Sequence, residues 1–108
     1  MKLGIILQSN KQEHLWNAFR LANVALQAGH TVQIVLMSEG VEAEDIPDTE
    51  QFDLSKKIEE FKRLKGSLLA CGTCLVIRSK QKSTICPMTN MQELLKMVED
   101  SDKVLVFG

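Results

Sequence analysis

Two thiols lie three residues apart in the stretch Ala70-Cys71-Gly72-Thr73-Cys74-Leu75-Val76-Ile77-Arg78. On a helix, positions i and i+3 are surface neighbours, so this spacing can set both sulfurs on one side. The thiolate is both nucleophile and metal ligand. A pair of this kind can attack a disulfide, cycle between dithiol and disulfide, or contribute to a metal site. The pair falls where a short apolar strand, Ser67 to Ala70, gives way to a helix. In an open α/β sheet ligands gather beyond the carboxyl ends of the strands, and the free N–H groups of a first helical turn carry partial positive charge. The placement predicts an unusually acidic Cys71 and thiol chemistry at that junction.

The surrounding residues weigh the competing uses of the pair. A structural zinc site needs four ligands, usually from two clustered pairs. Here one CxxC would have to recruit Cys86 and a histidine. Neither His14, early in a helix, nor His30, in a Gly-His turn, has the spacing of a second half-site, and no metal is expected. Cys-Gly-Thr-Cys resembles the thioredoxin dithiol, but it follows the third strand here, and Pro87 comes too soon after it to be the family's distant cis-proline. Cysteine also serves as a small buried hydrophobe. That is the reading for Cys86, between Ile85 and Pro87, and it suits Cys71 less well at the rim of a sheet.

The elements that must position these thiols follow from periodicity. Leu3 to Leu7 is a continuous apolar run, as in a strand covered on both faces. Ser9 or Asn10 can cap the helix that follows, in which Leu15, Phe19, Ala22 and Leu26 recur at helical spacing and Gly29 occupies the terminating position. Thr31 to Leu36 reads as the second strand. Residues 38–53 hold seven acidic and no basic residues and include Pro47, which predicts a loop. Leu54, Ile58, Phe61 and Leu64 mark the face of the next helix, and Gly66 precedes the third strand. After a short helix and the polar segment 79–83, Thr84-Ile85-Cys86 reads as a brief fourth strand. Thr89 with Gln92 fits a capping box for a helix whose apolar face is Met91, Leu94, Leu95 and Val98, and Met88, Met91 and Met97 read as core. Lys103 to Phe107 is the last strand. This alternation predicts a single α/β domain over 1–108, three-layer α/β/α, with a mostly parallel sheet of about five strands.

Composition narrows the function. The chain has 108 residues, with thirteen basic and fourteen acidic side chains, so no polyanion or acidic membrane surface is an obvious partner. Five aromatic residues, mostly on helix faces, do not make a base-stacking groove, and no nucleic acid is expected. No GxGxxG or Walker loop supplies a phosphate cradle, so no cofactor is implied. No apolar run reaches membrane-spanning length, and the N-terminal one is too short for a signal peptide. An odd number of cysteines without a leader suggests a cytoplasmic protein with free thiols rather than a disulfide framework. Acidic residues crowd positions 39–53, while Lys56, Lys57, Lys62, Arg63, Lys65, Arg78, Lys80 and Lys82 follow, a polarity that could guide docking or remain ordinary solvated surface.

The N-terminal strand, the helix with Trp16 and Phe19-Arg20-Leu21-Ala22, the strand after Gly29-His30, the Ala-Cys-Gly-Thr-Cys-Leu stretch and the ending from Met91-Gln92-Glu93-Leu94 to Asp102–Gly108 together resemble the DsrE/DsrF-like family. The resemblance spans the whole chain and is most specific over Cys71 to Arg78. It implies a small cytoplasmic α/β/α protein forming oligomers, often trimers or hexamers, sometimes with paralogous subunits. Relay members of the family pass sulfur as a cysteine persulfide between donor and acceptor proteins. Their persulfide cysteine precedes a short helix with an arginine seven positions on, which Cys71 and Arg78 match. Cys74 departs from the pattern, since relay subunits carry small apolar residues there. A second thiol could resolve a persulfide on Cys71, or the cysteines could be structural parts of a non-catalytic oligomeric module.

Overall fold

Leu3, Ile5 and Leu7 are all buried and alternate along the first strand with Gly4 and Ile6, so this strand meets a packed layer on each face. The computed structural model describes residues 1–78 and 86–108. The polar segment 79–83, with Lys80 and Lys82, and the expected strand residues Thr84 and Ile85 lie outside the described residues. The elements are β1 (Lys2–Leu7), α1 (Gln12–Gln27), β2 (Thr31–Leu36), a 3-10 helix (Ser38–Asp45), α2 (Leu54–Arg63), β3 (Ser67–Cys71), α3 (Gly72–Ile77), β4 (Met88–Thr89), α4 (Met91–Asp100) and β5 (Lys103–Phe107). Every strand pairing is parallel, and the five strands lie in the order β4-β3-β2-β1-β5.

This order explains the layers. The chain steps from β1 to β2 to β3 in one direction, and right-handed crossovers place α1 and α2 on the same face. It then jumps from β4 across to β5, and the same handedness places α4 on the opposite face. Register confirms the sides. Leu3, Ile5 and Leu7 align with Val32, Ile34 and Leu36 of β2, and Leu68 and Ala70 of β3 continue that surface. Leu15, Phe19, Ala22, Ile58 and Phe61 pack over it, with the rings of Phe19 and Phe61 edge to face at 5.5 Å. Each of these two fully buried rings contributes about 1.5–3 kcal/mol of transfer free energy. On the other face a Cβ at Gly4 would meet Met97 Sδ at 2.2 Å, so the missing side chain is the notch into which α4 seats.

Several local expectations shift. The N-cap of α1 is Lys11; Ser9 sits further back, accepting from Lys11 N–H at 3.0 Å and pairing with His14 Nδ1 at 2.9 Å. Gly29 does end α1, with φ +92° and a hydrogen bond from His30 N–H to Ala25 O behind it. For α4 the cap is Asn90, which accepts from Glu93 N–H at 2.9 Å, while Thr89 donates to the Glu93 carboxylate at 2.6 Å. The expected Thr89–Gln92 box is therefore displaced by one residue. The fourth strand is Met88–Thr89, beyond Pro87, and Cys86 lies half-buried at a bend, packed against the core. The apolar face expected for α4 also turns. Met97 is buried and Leu94 half-buried, whereas Met88, Met91, Leu95 and Val98 are exposed, because Met97 is the residue that the Gly4 notch receives.

The segment expected to be a loop is the largest departure. Ser38–Asp45 forms a 3-10 helix whose Gly40, Val41 and Ala43 are buried. Its acids and those after it act largely as acceptors. Asp48 takes the amide of Ser55 at 2.8 Å together with its hydroxyl, and Asp53 takes the indole N–H of Trp16 at 2.7 Å. Both carboxyls are held below their ordinary range, Asp48 by the Ser55 bonds and Asp53 by Trp16.

Candidate thiol site

Cys71 is the last residue of β3 and the N-cap of α3, so the sheet fixes its backbone on one side and a helix starts on the other. Register pairs it with Thr89 and, by alternation, turns it to the α4 face. Its thiol accepts from the Cys74 N–H at 3.4 Å, the capping contact, and from the Cys74 thiol at 2.9 Å. The spacing read from the sequence therefore does bring the two sulfurs together. That contact is about 0.9 Å longer than the ~2.03 Å of a formed disulfide.

The two thiols differ in surroundings. Cys71 is only 6% exposed and borders a cavity of about 10 Å³, room for a single water-sized atom, lined by Val35, Met37, Cys71, Thr89, Asn90, Met91 and Leu94. Cys74 is partly exposed, and its sulfur receives the N–H of Ser38 at 3.2 Å. Ser38 follows β2, the neighbour of β3, and has a left-handed backbone, φ +51°, that directs this N–H at the sulfur. Gly40, two residues on, lets the 3-10 helix lie against β1: a Cβ there would sit 2.0 Å from the Leu7 carbonyl oxygen. The 3-10 helix is thus a strap drawn over the end of the sheet and tied to Cys74.

Arg78 closes the other side of the strap. As the residue after α3, it donates from Nε to Glu42 at 2.8 Å and from an Nη to the Cys74 carbonyl at 3.2 Å. The guanidinium is paired rather than solvated, and its partners are a strap carboxylate and a helix carbonyl.

The expected acidity of Cys71 is reversed. Burial pushes this thiol above its ordinary value and the hydrogen bond with the Cys74 thiol adds to the shift, while the N–H groups of Cys74 and Thr73 pull downward without overcoming them. The helix N-terminus is real, but desolvation of a 6%-exposed sulfur outweighs it. Among the described residues no three His, Cys, Asp or Glu side chains cluster in a way that could hold a metal ion. His14 bonds Ser9, and His30 bonds the N-terminal amine at 2.8 Å. A hollow of about 720 Å³ opens at the opposite end of the sheet around Lys2, Thr31 and Ser67, far along the strands from either sulfur.

Sequence reasoning missed Ser38, Gly40 and Glu42. The signal available was the small and apolar set Gly40, Val41 and Ala43 among the acids, which a solvated loop has no reason to carry.

The fold and the site together define a parallel α/β/α protein with a paired-thiol edge. The model of the DsrE/DsrF-like family matches residues 1–107, and the chain belongs to that family. Among solved structures it is similar to the ychN protein from E. coli, at 22% identity and TM-score 0.83 over 99% of this chain and 100% of that one. It is also similar to BT1422 from Bacteroides thetaiotaomicron, a conserved protein of unknown function, at 16% identity and TM-score 0.77 over 98% and 94% of the two chains. A third is MTH1491 from Methanobacterium thermoautotrophicum, also of unknown function, at 11% identity and TM-score 0.73 over 96% and 97%. At these identities the likeness speaks for the fold. No curated protein sequence matches the chain.

Proposed function

We propose that this protein is a thiol sulfur carrier that takes the outer sulfur of a donor persulfide and holds it on Cys71, with Cys74 as the thiol able to discharge it. The observation that carries the reading is the 2.9 Å contact between the two sulfurs at the carboxyl end of the sheet. In net form, a donor R–S–SH and one protein thiol give R–SH and a protein persulfide, with one S–S bond broken and one formed. Attack by the second thiol on the inner sulfur of that persulfide closes a Cys71–Cys74 disulfide and releases hydrosulfide. Burial of Cys71 shields the loaded sulfur from other thiols, and Arg78 fixes the end of α3 through its two hydrogen bonds.

The partners in this reading are a donor and an acceptor protein in the cytoplasm, where the reducing environment keeps the pair as thiols. Among the described residues no helix is long and apolar enough to cross a membrane. Self-association, as a trimer or hexamer or with paralogous subunits, belongs to this reading, and the exposed Met91, Leu95 and Val98 of α4 offer apolar side chains for it.

The test is intact mass and peptide mapping of the reduced protein after incubation with glutathione persulfide. One added sulfur on the Cys71 peptide supports the carrier. A Cys71–Cys74 disulfide with sulfide released supports discharge. An unchanged mass rejects both and leaves the cysteines structural.

A further inference from the structure

We infer that sulfur arrives on Cys74 and is then passed inward to Cys71, so that the two thiols act in series and the strap sets the order. The inference rests on the carrier reading above and names the step within it. A donor persulfide is carried by a protein or by glutathione, and its outer sulfur must reach the attacking thiolate in line with the bond that breaks. Cys71, only 6% exposed, leaves little room for such an approach. Cys74 is the partly exposed member of the pair, and the Ser38 N–H holds its sulfur at 3.2 Å in a fixed direction.

The steps balance. Cys74–S⁻ attacks the outer sulfur of R–S–SH, giving Cys74–S–SH and R–S⁻. Cys71, deprotonated by R–S⁻ or solvent, attacks that same outer sulfur, giving Cys71–S–SH and restoring Cys74–S⁻. Each step breaks one S–S bond and forms one, so no external oxidant or reductant enters. A small cavity lined by Val35, Met37 and Leu94 borders Cys71, the thiol that receives the sulfur in the second step.

The test uses the reduced full-length protein. Wild type is first labelled with limiting iodoacetamide and mapped, with half-buried Cys86 as internal reference; Cys74 should label about tenfold faster than Cys71. Sulfur loading from glutathione persulfide is then timed in wild type, Cys71→Ala and Cys74→Ala. Cys71→Ala should stop with the added sulfur on Cys74, and Cys74→Ala should load Cys71 about tenfold more slowly than wild type. Faster labelling of Cys71, or equal loading of wild type and Cys74→Ala, overturns the inference while leaving the carrier reading intact. A wild type that neither gains sulfur nor forms the Cys71–Cys74 disulfide overturns both. The labelling order needs no substitution and therefore holds even if a variant folds poorly.

Discussion

Substituting Gly40 by alanine tests whether the strap is as closely seated as its contacts imply. A Cβ on Gly40 would stand 2.0 Å from Leu7 O and 2.9 Å from Leu7 C, both main-chain atoms of a central strand. Ordinary C···O contacts begin near 3.3 Å, so the strap must retreat by about 1.3 Å. Neither side yields cheaply. Leu7 is hydrogen-bonded within the sheet and its carbonyl accepts from Met37 N–H at 3.0 Å, while Gly40 N–H donates to Met37 O at 2.8 Å. Forced overpacking of this kind costs about 1–3 kcal/mol. For a domain of this size each kcal/mol lowers the Tm by roughly 4–8 °C. The same retreat moves Ser38, two residues away, and lengthens its 3.2 Å bond to Cys74 beyond hydrogen-bonding range. Thermal unfolding followed by circular dichroism should therefore show a clear drop for Gly40→Ala, and iodoacetamide labelling of Cys74 should change with it. A Tm and a Cys74 labelling rate both equal to wild type would refute the close seating and the tie.

Further outcomes follow from the same contacts. A double-mutant cycle of Glu42→Gln and Arg78→Gln in urea should return a coupling of about 0.5–1 kcal/mol, the size of a partly exposed pair, and zero coupling would show that the 2.8 Å contact does not tie the strap to α3. The raised Cys71 thiol should make stability fall with alkali. The folded chain keeps this proton above the ordinary thiol value while the unfolded chain releases it, so the unfolded state binds fewer protons and the slope of stability against pH is negative there. Urea midpoints between pH 8 and about 10 should then decline more steeply for wild type than for Cys71→Ser, and parallel declines would contradict burial as the cause. Finally, Leu95→Glu places a charge on a residue 59% exposed in the monomer, so it should leave the Tm of the chain nearly unchanged yet shift sedimentation from oligomer to monomer. A wild type that sediments as a monomer would rule out that face as a contact between copies.

What the sequence disclosed and what it hid divide along a physical line. The strand runs Leu3–Leu7 and Thr31–Leu36 and the helix faces of Leu15–Leu26 and Leu54–Leu64 were legible because periodic burial is written locally, residue by residue. The CxxC pair was legible for the same reason: i and i+3 meet on any helix. The face of α4 was not, because the residue that seats there, Met97, is selected by the absent side chain of Gly4 some ninety positions away. The strap was hidden twice over. Its acids masked the buried Gly40, Val41 and Ala43, and 3-10 geometry gives no 3.6-residue stripe to detect. The sign of the Cys71 shift also depended on long-range packing, since a helix N-terminus is a local feature but burial beneath Met37, Thr89 and Leu94 is not.

The strap could influence the thiol pair in two ways, by placing Cys74 or by favouring the dithiol over the disulfide, and magnitudes separate them. Closing the disulfide moves Cys74 Sγ toward Cys71 and risks at most its one bond from Ser38 N–H. An internal hydrogen bond is worth about 0.5–1.5 kcal/mol net. For a two-electron couple ~1.4 kcal/mol corresponds to about 30 mV, so the strap shifts the pair's potential by no more than roughly that amount. Natural dithiols span a range several times wider, from about −270 to −120 mV. Placement is the larger lever, because a displacement of about 1 Å can cost a hundredfold in rate when reacting atoms must align. Gly40→Ala should therefore alter the rate and order in which the two sulfurs react far more than it alters their reduction potential. Equilibration of the variant and wild type against a glutathione redox buffer, set beside the labelling rates, checks this. A shift well beyond ~30 mV with an unchanged labelling order would show that the strap tunes the potential instead.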